Sequence, residues 1–319
     1  MKHMPLNDFR LIQSDDLNDL IGSVDAWRKT NLFNLPLVRA SRRDVAKHIV
    51  ARVGSRQKSS INFVNAHCVN IQREDADYRE ALRQSDLLLP DGIGMEIAAK
   101  MHGVMIGENL NGTDLFPELC REAEEEGTGI FFFGGQAGVA DRAADCAATH
   151  YSELRIAGAQ SGYYDPKDEE ALIERINRSR AGIVLVGLGV PLQEKWIARN
   201  RYRLDAPVVI GVGGLFDYYS GRIPRAPKFV RACKSEWIWR LAMEPRRMAN
   251  RYIWGNTTFL TYASVKALQA NGMARRANAF GKRAIDIVGA SMAILALMPI
   301  FIAAALSIRL EDKGPVFFR

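Results

Sequence analysis

Seven short runs rich in β-branched and aromatic residues, separated mostly by longer stretches with helical spacing, constrain this chain more than any other feature. The runs are Phe33 to Val38, Ser60 to Asn65, Asp86 to Leu89, Gly129 to Phe133, Leu154 to Ala159, Gly182 to Gly187 and Pro207 to Val212. Helical spacing marks Arg42 to Arg52, Met95 to Met101, Asp114 to Glu126, Val139 to Tyr151, Lys167 to Ser179 and Leu192 to Arg201. This alternation predicts an α/β fold, a Rossmann-like, mostly parallel sheet with helices on both faces. Residues 1–30 carry neither pattern and are read as a leader. The α/β core is assigned to 31–221, a basic helical appendage to 222–270 and a membrane-anchoring segment to 271–319.

In open sheets of this kind ligands bind beyond the carboxyl ends of the strands, where backbone amides and helix N-termini face outward. Five predicted strands end in glycine or short polar residues: Asn65-Ala66-His67, Pro90-Asp91-Gly92-Ile93-Gly94, Phe133-Gly134-Gly135-Gln136, Gly187-Leu188-Gly189 and Gly211-Val212-Gly213-Gly214. Glycine lets amides approach phosphate oxygens, so five such ends on one edge describe an anion-sized crevice.

Asp91, at the end of an apolar run, has two open readings. It could be the general base of an inverting sugar transfer, taking the acceptor hydroxyl proton, or the cap of a helix beginning at Gly92. Asn65 suits a sugar or acceptor hydroxyl, while His67 reads as the first polar residue of a helix. Gln193 and Glu194 follow Pro191 in a helical first turn, where the helix dipole would favour a diphosphate; an ordinary solvated turn is the alternative. Asp217 could bind ribose hydroxyls or act as a local cap.

The chain carries a net charge of +7. Between Arg222 and Arg251 nine basic residues face only Glu236 and Glu244, so this segment alone accounts for the whole excess. Interleaved with Trp237, Trp239, Tyr252 and Trp254, it fits an anionic membrane surface. No nucleic-acid motif accompanies it, which argues against a nucleic-acid partner. Cys68, Cys120, Cys146 and Cys233 lack CxxC spacing, which predicts reduced thiols and no structural zinc. No GxGxxG opens a βαβ unit, which argues against a dehydrogenase.

From about Asn34 to Tyr252 the chain resembles the WecG/TagA/CpsF glycosyltransferases (glycosyltransferase family 26). The resemblance rests on Val-Asn-Ala-His at 64–67, Leu-Pro-Asp-Gly-Ile-Gly at 89–94, Asn-Gly-Thr-Asp-Leu at 111–115, Phe-Phe-Gly-Gly at 132–135, Gly-Tyr-Tyr at 162–164, Gly-Val-Pro-Leu-Gln-Glu-Lys-Trp at 189–196 and Gly-Val-Gly-Gly-Leu-Phe-Asp at 211–217. It implies an inverting, metal-independent transfer, with no cofactor, from a UDP-sugar to an undecaprenyl-diphosphate-linked sugar in bacterial cell-surface or exopolysaccharide biosynthesis. It further implies Asp91 and Asn65 as catalytic residues. The implied substrate-binding residues are Gln193, Asp217, Gly134, Gly135, Gly213, Gly214, Asn109 and Thr113. From the appendage it adds Arg222, Arg225, Arg240, Arg246 and Arg247. Two positions depart from the family pattern: Phe63 replaces a frequent threonine, and Asn109 a frequent arginine, for which Arg222 and Arg225 are candidate substitutes. A membrane-tethered nucleotide-sugar-binding scaffold is the non-enzyme alternative, and a homo-oligomer is compatible with all of this.

Ile287 to Ile308 is a run of 22 uncharged residues broken by Pro299. It is long enough to span a bilayer, or to re-enter as a bent hairpin. Lys282 to Arg319 resembles the opening of the bacterial polyprenyl-phosphate sugar-1-phosphate transferases, so a bifunctional fusion is a further possibility. Anchoring at the cytoplasmic face of the inner membrane through 287–308 is the expectation.

Overall fold

The computed structural model describes residues 29–227, 230–231, 235–270, 286–292 and 298. Most of the leader, Lys228, Lys234, Cys233 and most of 271–319 lie outside the described residues.

The described residues begin with a hairpin, β1 (Lys29–Leu32) and β2 (Leu35–Val38), where one strand from Phe33 was expected. Phe33 and Asn34 both take positive φ, 57° and 61°, and form the two-residue turn. Asparagine tolerates that conformation, whereas phenylalanine needs tertiary support. The Phe33 ring finds it against Phe259 and Tyr262, at centroid distances of 5.7 and 5.5 Å.

Then follow α1 (Arg42–Gly54), β3 (Ser59–Val64), α2 (Ala66–Glu74), α3 (Ala76–Arg83), β4 (Leu87–Pro90), α4 (Ile93–Met101), α5 (Gly112–Glu125), β5 (Ile130–Gly134), α6 (Val139–His150), β6 (Ile156–Gln160), α7 (Glu169–Arg178), β7 (Ile183–Gly187), α8 (Leu192–Asn200), β8 (Val208–Gly211) and α9 (Leu215–Tyr219). The appendage contains α10 (Glu236–Met243), α11 (Pro245–Ala249), a π-helical turn (Asn250–Trp254) and α12 (Gly255–Ala270). Of the short helices, α2 was expected only at its start, where His67 reads as the first polar residue of a helix, and α3 was not expected; Asn65 and Asp75 cap them by accepting backbone amides.

One eight-stranded sheet has the order β1-β2-β4-β3-β8-β7-β5-β6, and only β1 runs antiparallel. The two-residue period of the strands sends alternate side chains to opposite faces. Ile61, Phe132 and Ile210 join a core with residues of α1, α5 and α6. On the other face, Val64 and Leu88 pack with α2 and α4, and Phe133 and Val209 pack with α7 and α8. Phe259 and Ala263 of α12 belong to the α2–α4 side of that core, at 1% and 0% exposure, so the appendage is packed on the sheet domain. Among the described residues no helix is long and apolar enough to cross a membrane; most of 287–308 falls outside them.

Candidate active site

Because β4, β3, β8, β7 and β5 are successive neighbours, their carboxyl ends bring the five glycine and polar clusters onto one edge. They open into a cavity of about 1760 Å³, roofed by α10, α11 and the π-helical turn. Asn65, Asp91, Asn109, Thr113, Gly135, Gln193, Gly213, Gly214, Asp217, Arg222, Arg240 and Arg247 all line it. Gly134, Arg225 and Arg246 do not: Gly134 pairs with Gly187 inside the sheet, Arg225 binds Asp114 and Glu236, and Arg246 is exposed on α11.

Asp91 sits half-buried where β4 ends, its amide bonded to the Val64 carbonyl at 2.9 Å. Its carboxylate accepts from Asn65 Nδ2 at 3.2 Å. No backbone amide among the described residues donates to it, so it does not cap α4, and the cap reading falls. Burial raises its carboxyl above the ordinary carboxylate range, while the Asn65 hydrogen bond and the charges of Arg251 and Arg240 pull it back. Asn65 also holds α2 through His67 N and Cys68 N at 3.1 and 3.2 Å, so one side chain fixes both the helix start and the acid. His67, pushed down to about 4 by burial and by Arg251, is neutral at physiological pH.

Asn109 lies behind this acid. Its Oδ1 accepts the Gly92 amide at 2.9 Å, so it shapes the Pro-Asp-Gly turn. Thr113 is tied locally: its hydroxyl donates to Asn111 Oδ1 at 2.8 Å and its carbonyl accepts from Tyr219 at 3.1 Å.

The basic appendage is locked on by Asp217, which is 7% exposed. One carboxylate oxygen meets Arg222 at 2.8 Å and the other faces Arg240 at 3.6 Å and Arg247 at 3.7 Å. Asp217 therefore organises three arginines at the cavity wall, a role neither the ribose nor the cap reading contained. Gly214 makes room for this: a Cβ there would stand 2.6 Å from Arg240 Nη2.

Gln193 and Glu194 are 2% and 0% exposed, so the solvated first turn also falls. Burial pushes the Glu194 carboxyl up to about 7. The sign follows from linkage: an acid whose folded pKa exceeds its unfolded value destabilises the fold increasingly as pH rises between the two values. Taking an unfolded value of 4.5, the cost above pH 7 approaches ~3 kcal/mol. Glu194→Gln is expected to be more stable than wild type at pH 8 and nearly equal to it at pH 4.5, as thermal melts at the two pH values would show.

Arg231, Arg251 and Tyr252 also line the cavity; the sequence placed them in the basic and aromatic segment but did not mark them as candidate site residues. Arg251 is the most consequential, since its charge reaches Asp91, His67 and Glu194. Its Nε is buried without a hydrogen-bond partner among the described residues. The charge run from 222 to 251 was its only signal, and that run did not distinguish Arg251 from Arg246. Among the described residues no three or more His, Cys, Asp or Glu side chains cluster as metal ligands would.

A doubly wound sheet whose strand ends converge on a partly buried acid, with arginines roofing the crevice, is the architecture of an α/β enzyme, and the family match gives its class as glycosyltransferase. The chain belongs to the Glycosyl transferase WecG/TagA/CpsF family, whose model matches residues 30–273, and it is a hexosyltransferase. Residues 277–319 match the family described as Bacterial sugar transferase. Among curated relatives, an N-acetylglucosaminyldiphosphoundecaprenol N-acetyl-beta-D-mannosaminyltransferase of Bacillus subtilis strain 168 is 33% identical over 187 residues, 59% of this chain and 72% of the relative. A protein of the same name from Bacillus spizizenii is 34% identical over 170 residues, 53% of this chain and 65% of the relative.

Proposed function

We propose that this enzyme transfers a hexose, in the β configuration, from a UDP-sugar to a sugar carried on a polyprenyl diphosphate, with inversion at the anomeric carbon and Asp91 as general base. The observation that carries this reading is the pairing of an acid and cations across one cavity: among the described residues Asp91 receives only a neutral hydrogen bond, from Asn65, while Arg222, Arg231, Arg240, Arg247 and Arg251 line the same space. Donor and acceptor each bring a diphosphate, and guanidinium groups suit its oxygens. The acid remains available to take a proton from the acceptor hydroxyl as the sugar–phosphate bond breaks.

The acceptor named for the Bacillus relatives, a diphosphoundecaprenol-linked N-acetylglucosamine, supports the lipid-linked part of the proposal. So does the apolar rim of the cavity, where Leu192, Ile238, Ile253 and Ile287 are 63%, 42%, 53% and 61% exposed. Apolar side chains beside arginines fit an anionic bilayer from which such a lipid would be presented. Work at the cytoplasmic membrane face, in the assembly of a cell-surface polymer, is part of the same proposal.

The test is a panel of UDP-sugars incubated with the enzyme and a polyprenyl-diphosphate-linked N-acetylglucosamine, followed by mass analysis of the lipid. One donor is expected to add one hexose residue and release UDP only when the lipid is present. Nucleotide binding without any glycolipid product would favour the scaffold reading instead.

A further inference from the structure

Gln193 and Glu194 are neighbours in the first turn of α8, and both side chains are buried. Adjacent residues on a helix do not normally share a face, and a buried carboxylate is costly, so the pair calls for a reason. The hydrogen bonds supply one. Gln193 Oε1 accepts the Gly213 amide at 2.9 Å. Its Nε2 donates to Glu194 Oε1 at 3.0 Å. Gly213 has a φ of 56° and lies in the turn that follows β8 on the cavity wall.

A glutamine amide has one accepting and one donating end. Reversed, it would set its NH2 against the Gly213 N–H and its oxygen against Glu194, two mismatches in a buried place. Gly211 leaves the space the amide occupies, since a Cβ there would lie 3.0 Å from Gln193 Nε2. Through Gln193, then, the acceptor at position 194 determines how the glycine turn is held. Glu194 Oε2 has no hydrogen-bond partner among the described residues, so the carboxyl can gain or lose a proton there while Oε1 continues to accept.

We propose that Glu194 is a positioning residue, fixing the Gln193 amide so that the Gly211–Gly214 turn is held in the shape that receives the donor's nucleotide diphosphate. This rests on the nucleotide-sugar reading above for its ligand, but not for its geometry. It also reassigns Gln193: both ends of its amide are engaged within the protein, so it serves the donor by holding the turn.

The experiment compares Glu194→Gln, Glu194→Met, Gln193→Met and the double Met variant. Amide hydrogen exchange is followed by mass spectrometry, and KM and kcat are measured for the donor sugar. Glu194→Met, which removes the acceptor but keeps the bulk, is expected to speed exchange in the 211–217 peptide and to raise the donor KM about tenfold, the effect of one lost buried hydrogen bond. Exchange in the β5 and β7 peptides should be unchanged, which shows that the sheet is intact, and kcat should move far less than KM. Glu194→Gln, which keeps an accepting oxygen, should show neither the faster exchange at 211–217 nor the raised KM. The double variant should be no worse than Gln193→Met alone, because the two residues act through one bond. Unaltered exchange at 211–217 in Glu194→Met, or additive effects in the double variant, would overturn the proposal. If the wild type binds no nucleotide sugar, the donor reading fails, while the exchange data still decide for or against the relay.

Discussion

Asp91→Asn is expected to fold, to bind UDP as the wild type does, and to transfer sugar about 10²–10⁴-fold more slowly, the span typical of a lost general base. Asparagine keeps the size of the side chain and can still pair with Asn65, so the cavity is preserved while an acid with no ion-pair partner among the described residues is lost. The wild-type rate should rise with pH as Asp91 ionises, because the carboxylate is the active form. That acid limb should lie above the ordinary carboxylate range, since burial raises the Asp91 pKa, and it should be absent from the residual activity of the variant. A near-normal rate in Asp91→Asn would remove Asp91 from the chemistry.

The second large effect is expected at Asp217. Its replacement by alanine leaves Arg240, whose side chain is only 13% exposed, with Glu244 at 3.7 Å as its remaining acidic partner. Breaking one side of a buried ion pair costs about 3–5 kcal/mol. The lower end applies here, because Arg222 and Arg247 are 36% and 55% exposed and are solvated on release. A loss of ~3 kcal/mol corresponds to a fall in Tm of roughly 6–12 °C for a domain of this size. The same substitution should loosen the roof of the cavity, so that protease cleaves first between 222 and 255 and transfer falls with it. An unchanged melt and cleavage pattern would show that Asp217 does not hold the appendage.

The two residues illustrate what could be read before the fold was known. The strands were legible to within a residue or two because buried strands are short apolar runs, and their carboxyl ends pointed to the crevice. The hairpin was not legible, because Phe33 enters its turn only with the support of Phe259 and Tyr262, more than 200 residues away. Only the start of α2, at His67, was legible, and α3 was hidden by its brevity and polar composition, although Asn65 and Asp75 are cap residues in plain view. At Asp91 local spacing allowed both a base and a cap, and only the full set of its partners separates them. At Gln193 and Glu194 it allowed a turn facing a diphosphate or an ordinary solvated one; α8 packs against β8 and α3, and no local pattern reveals the burial that results. Among the arginines, charge density marked the segment, but only packing distinguishes Arg240 and Arg251, which face the cavity, from Arg246, which does not.

The most direct test of the account is the anomeric configuration of the glycolipid formed from the UDP-sugar panel, determined by NMR of the purified product. A single displacement assisted by Asp91 predicts that an α-linked donor gives a β-linked product. A product that keeps the donor's α configuration would contradict it.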